Sequence, residues 1–403
     1  MRILHTSDWH LGRTLHKVAL ADVQAAVMIQ IGQIAREQHV DLIVVAGDVF
    51  DHAVPSAAAL QLLETTLVDL LEVAPVVMTA GNHDSLPRLG YGSRLMSSRL
   101  TLCTRVEDVG SAVVFEDAHG PVRVYPIPYL HPESAREVLA ADDQSLPATH
   151  HAVLTAAMDR IRADLAEYQG ARSVVLAHAW VAGGVGSDSE RDVSVGGLGT
   201  VGSEVFQGVD YVALGHLHGR QEPRGVGQTR LRYCGSPLRY SFSEAQQTKS
   251  VSIVDLGPQG VTTITDVPLT QPRQMANLRG LMAELLDDEL FVDDLESWVS
   301  ITVTDDRRPT AMWQRLQQRF PHALQIRHDP ACGFVAAPHG QLSREQKPLE
   351  VAAEFVQYVT NGDIEEAETA AFDAAVQALR GRVSACSSSP WCSRVSAHSP
   401  IGW

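Results

Sequence analysis

The chain has no apolar run approaching the ~20 residues a membrane-spanning helix needs, so no transmembrane segment is expected. No basic segment and apolar stretch precede its first strand-like run, so no secretory signal is expected either. Cysteine is scarce. The five cysteines, at 103, 234, 332, 386 and 392, are odd in number and scattered. They offer no disulfide framework and fit a reduced cytoplasmic protein. Positive charge is short as well. The formal net charge of −16 argues against nonspecific nucleic-acid binding, which rests on Lys and Arg. That deficit does not decide the substrate, because bound cations would cancel charge at a site. Much of the acidity also lies away from the motifs below, at Glu365, Glu366 and Glu368 and at Asp287, Asp288, Asp293 and Asp294. No internal repeat is apparent. The 403 residues, 45% of them hydrophobic, suffice for one large domain and one or two smaller ones.

Five short apolar runs end in Asp, Asn or His. They are RILHTSDWH (2–10), DLIVVAGDVFD (41–51), PVVMTAGNHD (75–84), SVVLAHAW (173–180) and YVALGHLHG (211–219). Together they offer Asp8, His10, Asp48, Asn82, His83, Asp84, His178, His216 and His218. Asp8 and His10 sit two apart, so in an extended segment both reach one ion. Asp48 follows Gly47 and has two oxygens with which to bridge two cations. No cysteine joins these clusters, and a mixed N/O donor set suits Mn²⁺, Fe²⁺ or Zn²⁺. Two such ions roughly 3.5–4 Å apart clamp a phosphoryl group. Taken singly, each signal is weak. An Asp after a strand is more often a helix cap or turn residue, and GNHD alone reads as a turn. Five such ends in one chain are not explained as turns or core.

The runs alternate with helical patterns. Leucines at 60, 63, 67, 70 and 71 recur at helical spacing after the second run. Alternation of strand and helix predicts an α/β fold with a mostly parallel sheet, whose strand carboxyl ends gather ligands. Residues 220–268 read as strands with turns at Gly257 and Gly260, and Pro268 and Pro272 mark a boundary. Beyond it the spacing predicts a helix over 274–286, a strand over 298–304, a helix over 309–320 and a strand over 323–328. Residues 345–380 read as two amphipathic helices around Asn361-Gly362, with Leu349, Ala352, Phe355, Val356 and Val359 on one face. Ile364, Ala367, Ala371, Ala375 and Leu379 line the second. Such a pair either folds back on its own domain or offers an apolar face to a partner. From Gly381 no period remains, and the tail is expected to be disordered.

The ordered set reads Asp8-Trp9-His10, Gly47-Asp48-Val49-Phe50-Asp51, Gly81-Asn82-His83-Asp84, His178 and Gly215-His216-Leu217-His218. In this order and form it resembles the signature of calcineurin-like metallophosphoesterases. HTSDWHLGRTL (5–15), GNHDSLPRLGYGS (81–93), SDSERDVSVGG (187–197) and YCGSPLRYSFSEAQQTKSV (233–251) are similar to a bacterial nuclease-subunit branch of that family. The likeness is strong over about the first 270 residues. It implies an α/β fold, a layered metallophosphoesterase β-sandwich flanked by helices. It further implies a small α+β capping domain and a C-terminal helical pair. The expected domains are 1–270 (nuclease), 271–340 (DNA capping), 341–380 (ATPase docking) and 381–403 (tail).

By the same resemblance, Asp8, His10, Asp48 and His218 hold one divalent ion and Asp48, Asn82, His178 and His216 the other, most often Mn²⁺. His83 is the catalytic histidine, oriented by Asp84. Asp51 reads either as a residue behind the ligands or as the cap of the helix starting near Ser56. Arg13, Arg88, Arg94 and Arg99 lie beside motifs and are candidate DNA contacts. Ser189, Glu190 and Arg191 fall in a Gly-rich loop that either orders over substrate or is plain surface loop. The family works with a long coiled-coil ATPase, acts on DNA as double-strand exonuclease and single-strand or hairpin endonuclease, and forms a homodimer within a heterotetramer. Residues 86–100, with Leu89, Leu95, Met96 and Leu100, are the expected dimer element. The location implied is cytoplasmic, at the nucleoid when acting on DNA, and not on a membrane. Two alternatives stand beside this reading. One is a small-molecule phosphodiesterase or phosphomonoesterase, which leaves roughly the last 130 residues unexplained. The other is a noncatalytic scaffold, which would be expected to have lost ligands.

Overall fold

A computed structural model describes residues 1–140, 145–190, 199–287, 289–330, 347–360 and 366–386. The chain forms two compact units. One comprises Met1–Asn277 with Glu296–Trp298, the other Leu278–Leu295 with Val299–Trp403.

The first unit runs β1 (Arg2–Thr6), α1 (Ala21–Glu37), β2 (Leu42–Ala46), α2 (Ala57–Val73), β3 (Val76–Thr79), the single turn α3 (Leu86–Leu89) and β4 (Leu100–Cys103). It continues with β5 (Val113–Asp117), β6 (Gly120–Pro126), α4 (Pro132–Leu139), α5 (His150–Glu167), β7 (Arg172–His178), β8 (Tyr211–Gly215), β9 (Arg230–Tyr233), β10 (Ser250–Gly257) and β11 (Gly260–Pro268). Two sheets result, in the orders β11-β10-β1-β2-β3-β4 and β9-β8-β7-β6-β5. Within the first, β1 to β4 are parallel and β10 and β11 antiparallel. Within the second, β6 to β9 are parallel and only β5 is antiparallel.

The short runs of Val, Ile and Leu fit strands buried on both faces. Ile3, Val44 and Val77 of one sheet and Val124, Val174, Leu176 and Ala213 of the other are fully buried in one core between the sheets. Each buried Val, Ile or Leu among them stabilises by roughly 1.5–3 kcal/mol. A second core packs α4 and α5 on the other sheet through Leu139, Leu154, Met158 and Ile161 against Val175 and Val212. In α2 the helical spacing of leucines holds: Leu63, Leu67 and Leu70 are buried, while Leu60 is exposed. Ser56 caps this helix by accepting from the Ala59 amide at 3.2 Å.

The second unit carries a three-stranded sheet ordered β12 (Met275–Gly280), β13 (Trp298–Val303), β14 (Ala323–His328). The one-turn α6 (Met282–Leu285) follows β12, and α7 (Met312–Arg319) joins β13 to β14. A helix over 274–286 is therefore not what forms. Met275, Leu278, Met282 and Leu285 are all buried, as helical spacing requires. Pairing with a neighbouring strand nevertheless satisfies the backbone of the first half, and propensity yields to it. Two helices end the described chain, α8 (Pro348–Thr360) and α9 (Glu366–Cys386). The second runs through Gly381 to Cys386, so the expected tail begins as helix. Residues 387–403, and the Asn361-Gly362 turn, lie outside the described residues. Residues 86–100 form only α3 and a 3₁₀ turn over Ser93–Leu95 before β4. No helix among the described residues is long and apolar enough to cross a membrane.

Candidate metal centre

Each polar cluster falls at the carboxyl end of a parallel strand. Asp8 and His10 follow β1, Asp48 follows β2, Asn82 to Asp84 follow β3, His178 ends β7, and His216 and His218 follow β8. The clusters thus come from neighbouring strands in each sheet, and the carboxyl edges of the two sheets meet there. The loops are knit together: the Asp8 amide donates to the Gly47 carbonyl at 3.0 Å and the His10 amide to the Asp48 carbonyl at 2.9 Å.

The local backbone is strained where donors are needed. Asp8, His10, Asp48 and His216 have φ of 54°, 45°, 48° and 104°. Such conformations cost non-glycine residues on the order of 1–3 kcal/mol each and cluster at functional sites. Close approach explains two glycines. A Cβ on Gly47 would strike the His178 imidazole, and one on Gly81 would strike Asp48 Oδ1.

The donor atoms converge in pairs. His10 Nε2 lies 3.1 Å from His218 Nε2. Asn82 Oδ1 lies 2.9 Å from His178 Nε2 and 3.1 Å from His216 Nδ1. Asp48 Oδ2 stands between the pairs, 3.5 Å from His10 Nε2 and 3.4 Å from His178 Nε2. Three triads have ligand atoms within 4.8 Å of one another: Asp8-His10-His218, His10-Asp48-His83 and Asp8-Asp48-His178. His216 belongs to none of these but reaches Asn82, and its Nε2 is buried without a hydrogen-bond partner among the described residues.

This donor set fits divalent metal. His178 Nδ1 donates to the Ala46 carbonyl at 3.0 Å, so the neutral ring turns a bare Nε2 lone pair at Asp48 and Asn82 oxygens. Acceptors facing acceptors call for a positive charge among them. Among the protein's own charges the same need appears as shifted protonation. Burial lowers His178, but the Asp48 and Asp8 carboxylates and the Ala46 carbonyl together outweigh it and raise the imidazole to about 9. Burial raises Asp48 too, yet His178, His10 and His83 together hold it well below the usual carboxylate range. Burial pushes Asp8 up to about 6 and His10 down to about 3, and takes His216 well below the usual imidazole range.

His83 is buried, with Nδ1 2.7 Å from the Asp51 carbonyl oxygen and Nε2 4.0 Å from Asp48 Oδ2. Asp84, expected to orient that ring, has its carboxylate on backbone amides, accepting from Val49 at 3.0 Å, Phe50 at 2.9 Å and Gly81 at 2.9 Å. It ties the Asp48 loop to the Asn82 loop. Asp51 does not cap α2, which Ser56 does. Its Oδ1 faces His10 Nδ1 at 3.3 Å and Arg13 Nη1 at 3.3 Å. Arg13 also donates to the Ser189 carbonyl at 2.8 Å and lies over the Tyr240 ring, so its guanidinium is committed inside the site. Arg88, Arg94 and Arg99 are exposed, and Arg99 donates to the Leu71 carbonyl at 2.7 Å.

Sequence reasoning missed Gln24, Tyr240, Glu244 and Lys249 behind the donors, and it singled out Ser189 only as part of a loop near substrate. Gln24 of α1 is fully buried and donates to the His10 carbonyl at 2.7 Å. A polar side chain on the apolar face of Val27, Met28 and Ile31 was its available signal. Tyr240 donates to the Trp9 carbonyl. Ser189, Glu244 and Lys249 form a buried chain behind His218.

Paired imidazoles and carboxylates on two converging strand edges define a phosphoesterase centre, and the comparisons agree. The family model described as calcineurin-like phosphoesterase matches residues 1–220. The chain belongs to this family, and within it to the SbcD proteins of the SbcCD nuclease. The SbcD protein of Staphylococcus saprophyticus is 31% identical over 332 residues, 81% of this chain and 84% of the relative. That of Staphylococcus epidermidis is 29% identical over 329 residues, 81% of this chain and 85% of the relative. A model described as type 5 capsule protein repressor C-terminal domain matches residues 271–360. The crystal structure of a dimetal phosphatase from Danio rerio covers 67% of this chain and 99% of its own at 14% identity and TM-score 0.40, too distant to argue from. The protein is a metal-dependent phosphoesterase.

Proposed function

We propose that this chain is the DNA nuclease subunit of an SbcCD-type complex, hydrolysing phosphodiesters with two divalent ions. The observation that carries this reading is the convergence of acceptor atoms on Asp48 Oδ2 from both sheets. Asp8, His10, Asp48 and His218 would hold one ion and Asp48, Asn82, His178 and His216 the other. When bound, the two ions supply charge for the phosphoryl oxygens and lower the pKa of an attacking water. Mn²⁺ suits the N/O donor set. His83, facing Asp48 from the side, is placed to give a proton to the leaving oxygen or to stabilise the transition state. The Asp51 carbonyl fixes its ring, and Asp84 holds the two loops in register. Exposed Arg88 and Arg94 are free to meet phosphates.

The partner reading rests on the relatives' name and on exposed apolar surface. Phe355 of α8 is 61% exposed, and Ala367, Ala371 and Ala375 of α9 are exposed. This pair is the docking segment for the coiled-coil ATPase SbcC. Tyr91 and Leu95 are 85% and 91% exposed, whereas Leu89 packs inside. They mark the contact of a homodimer within a heterotetramer, working at the nucleoid. Blunt duplex and hairpin DNA with Mn²⁺ test the substrate, and a cyclic nucleotide and a phosphomonoester are the comparison. Exonucleolytic and hairpin-opening products are expected. Turnover of the small esters without DNA cleavage would instead favour the small-molecule reading.

A further inference from the structure

A chain of buried side chains stands behind His218, away from the centre. Lys249 Nζ, 2% exposed in its side chain, lies 2.5 Å from Glu244 Oε2, which is fully buried. Lys249 also donates to the His218 carbonyl at 2.8 Å and to Ser236 Oγ at 3.0 Å. Held against an ammonium, the Glu244 carboxylate can only accept. Its Oε1 takes the Ser189 hydroxyl at 2.5 Å and the Ser241 hydroxyl at 3.0 Å. Ser189 has one proton and gives it to Glu244. Ser187 Oγ, 3.0 Å from Ser189 Oγ, has its own acceptor in Glu190 Oε2 at 2.6 Å. Ser189 Oγ therefore turns lone pairs at His218 Nδ1, 2.5 Å away. If Nδ1 carried no proton, two acceptors would face each other in a buried contact.

We propose that the Lys249–Glu244–Ser189 chain fixes His218 as its Nδ1–H tautomer, which aims the Nε2 lone pair toward a metal ion. This rests on the reading of His218 as a ligand. Ser189 is then a positioning residue, and it and Glu190 belong to the surroundings of the centre. Two further contacts seat these two residues: the His218 amide donates to Glu190 Oε1 at 2.8 Å and Arg13 holds the Ser189 carbonyl. The far atom of the relay is set by a salt bridge, so the proton position at Nδ1 follows from fixed charges.

The test uses the full chain, stripped by chelator, with ¹⁵N-histidine NMR for the tautomer and Mn²⁺ titration by electron paramagnetic resonance for affinity. The unaltered protein is expected to show His218 as Nδ1–H. Ser189→Ala is expected to lose that preference and to weaken one Mn²⁺ site about 10–100-fold. Ser189→Thr, which keeps the hydroxyl, is expected to restore both. His218→Ala separates the two layers of the argument. Unchanged Mn²⁺ binding in His218→Ala overturns the ligand reading and this proposal with it. Weakened binding there, with tautomer and affinity intact in Ser189→Ala, overturns the relay alone.

Discussion

The two histidine pairs of the centre are held from behind by different means. Behind His218 stands a hydrogen-bonded side chain, Ser189 Oγ at 2.5 Å, and behind His10 the Asp51 carboxylate, whose Oδ1 lies 3.3 Å from Nδ1 as a charge contact rather than a hydrogen bond. Behind His178 stands main chain, the Ala46 carbonyl at 3.0 Å, and His216 Nε2 makes no hydrogen bond among the described residues. The first pair is thus tunable by single substitutions. The second is fixed by strand geometry, since Ala46 ends β2 and His178 ends β7. A backbone acceptor cannot be deleted without moving a strand, so that half should resist mutation of its surroundings.

Removing Asp48 breaks the contrast outright, because its Oδ2 faces both pairs. Asp48→Ala is expected to weaken metal in both halves and to cut cleavage by ~10⁴-fold or more, a loss of several kcal/mol of charge stabilisation. Elemental analysis showing two ions still bound would refute the shared role. His83→Ala comes next. It should leave both metal affinities intact and lower cleavage by about 10²–10³-fold. Normal rates in that variant would remove His83 from the chemistry.

Asp51→Ala sharpens the contrast. The substitution deletes the carboxylate behind His10 but keeps the carbonyl that holds His83. Metal affinity is expected to fall about 10-fold, in the His10–His218 half alone. An equal loss in both halves, read by Mn²⁺ titration, would show that the halves are not separately supported.

What was legible beforehand follows the same division. The donors could be read because Asp, Asn and His are out of place at the ends of buried strands. Their order along the chain matched the family signature. Apart from Asp51, for which a place behind the ligands was one of two readings, the supports could not. Ser189, Glu244 and Lys249 are residue types normally found at the surface, and nothing in their spacing says that they are buried together. Gln24 alone left a trace, on an otherwise apolar helix face. The C-terminal unit shows the opposite failure. Met275, Leu278, Met282 and Leu285 keep a helical period that burial honours, yet the first two lie on a strand. Periodicity records which residues face a core, and only pairing with another strand, a nonlocal event, decides the backbone. Asp84 misled for a related reason. The resemblance implied a side-chain partner in His83, whereas its carboxylate accepts from the Gly81 amide of its own loop and the Val49 and Phe50 amides of the Asp48 loop.

The smallest effect supplies the baseline against which the buried supports are judged. Arg2 of β1 meets Asp255 of β10, Nε to Oδ1 at 2.8 Å, with side chains 41% and 34% exposed. The hydrogen bond from Arg2 holds the Asp255 carboxyl below its ordinary range. A depressed carboxylate stabilises the fold above its unfolded value of about 3.9 and loses that contribution as pH falls through the lower folded value. Because both groups are solvated, the contribution is under ~1 kcal/mol, and ~1 M salt should screen it. Asp255→Asn is therefore expected to lower the urea midpoint slightly at pH 7, and not at all in acid or high salt. Asp51 and Glu244 are shielded from such screening by burial. If high salt reversed the metal-affinity losses of Asp51→Ala as readily as it erases the Asp255 effect, the supports behind His10 and His218 would be acting as surface charges. The difference between the two halves would then lie in long-range field rather than in close buried contacts.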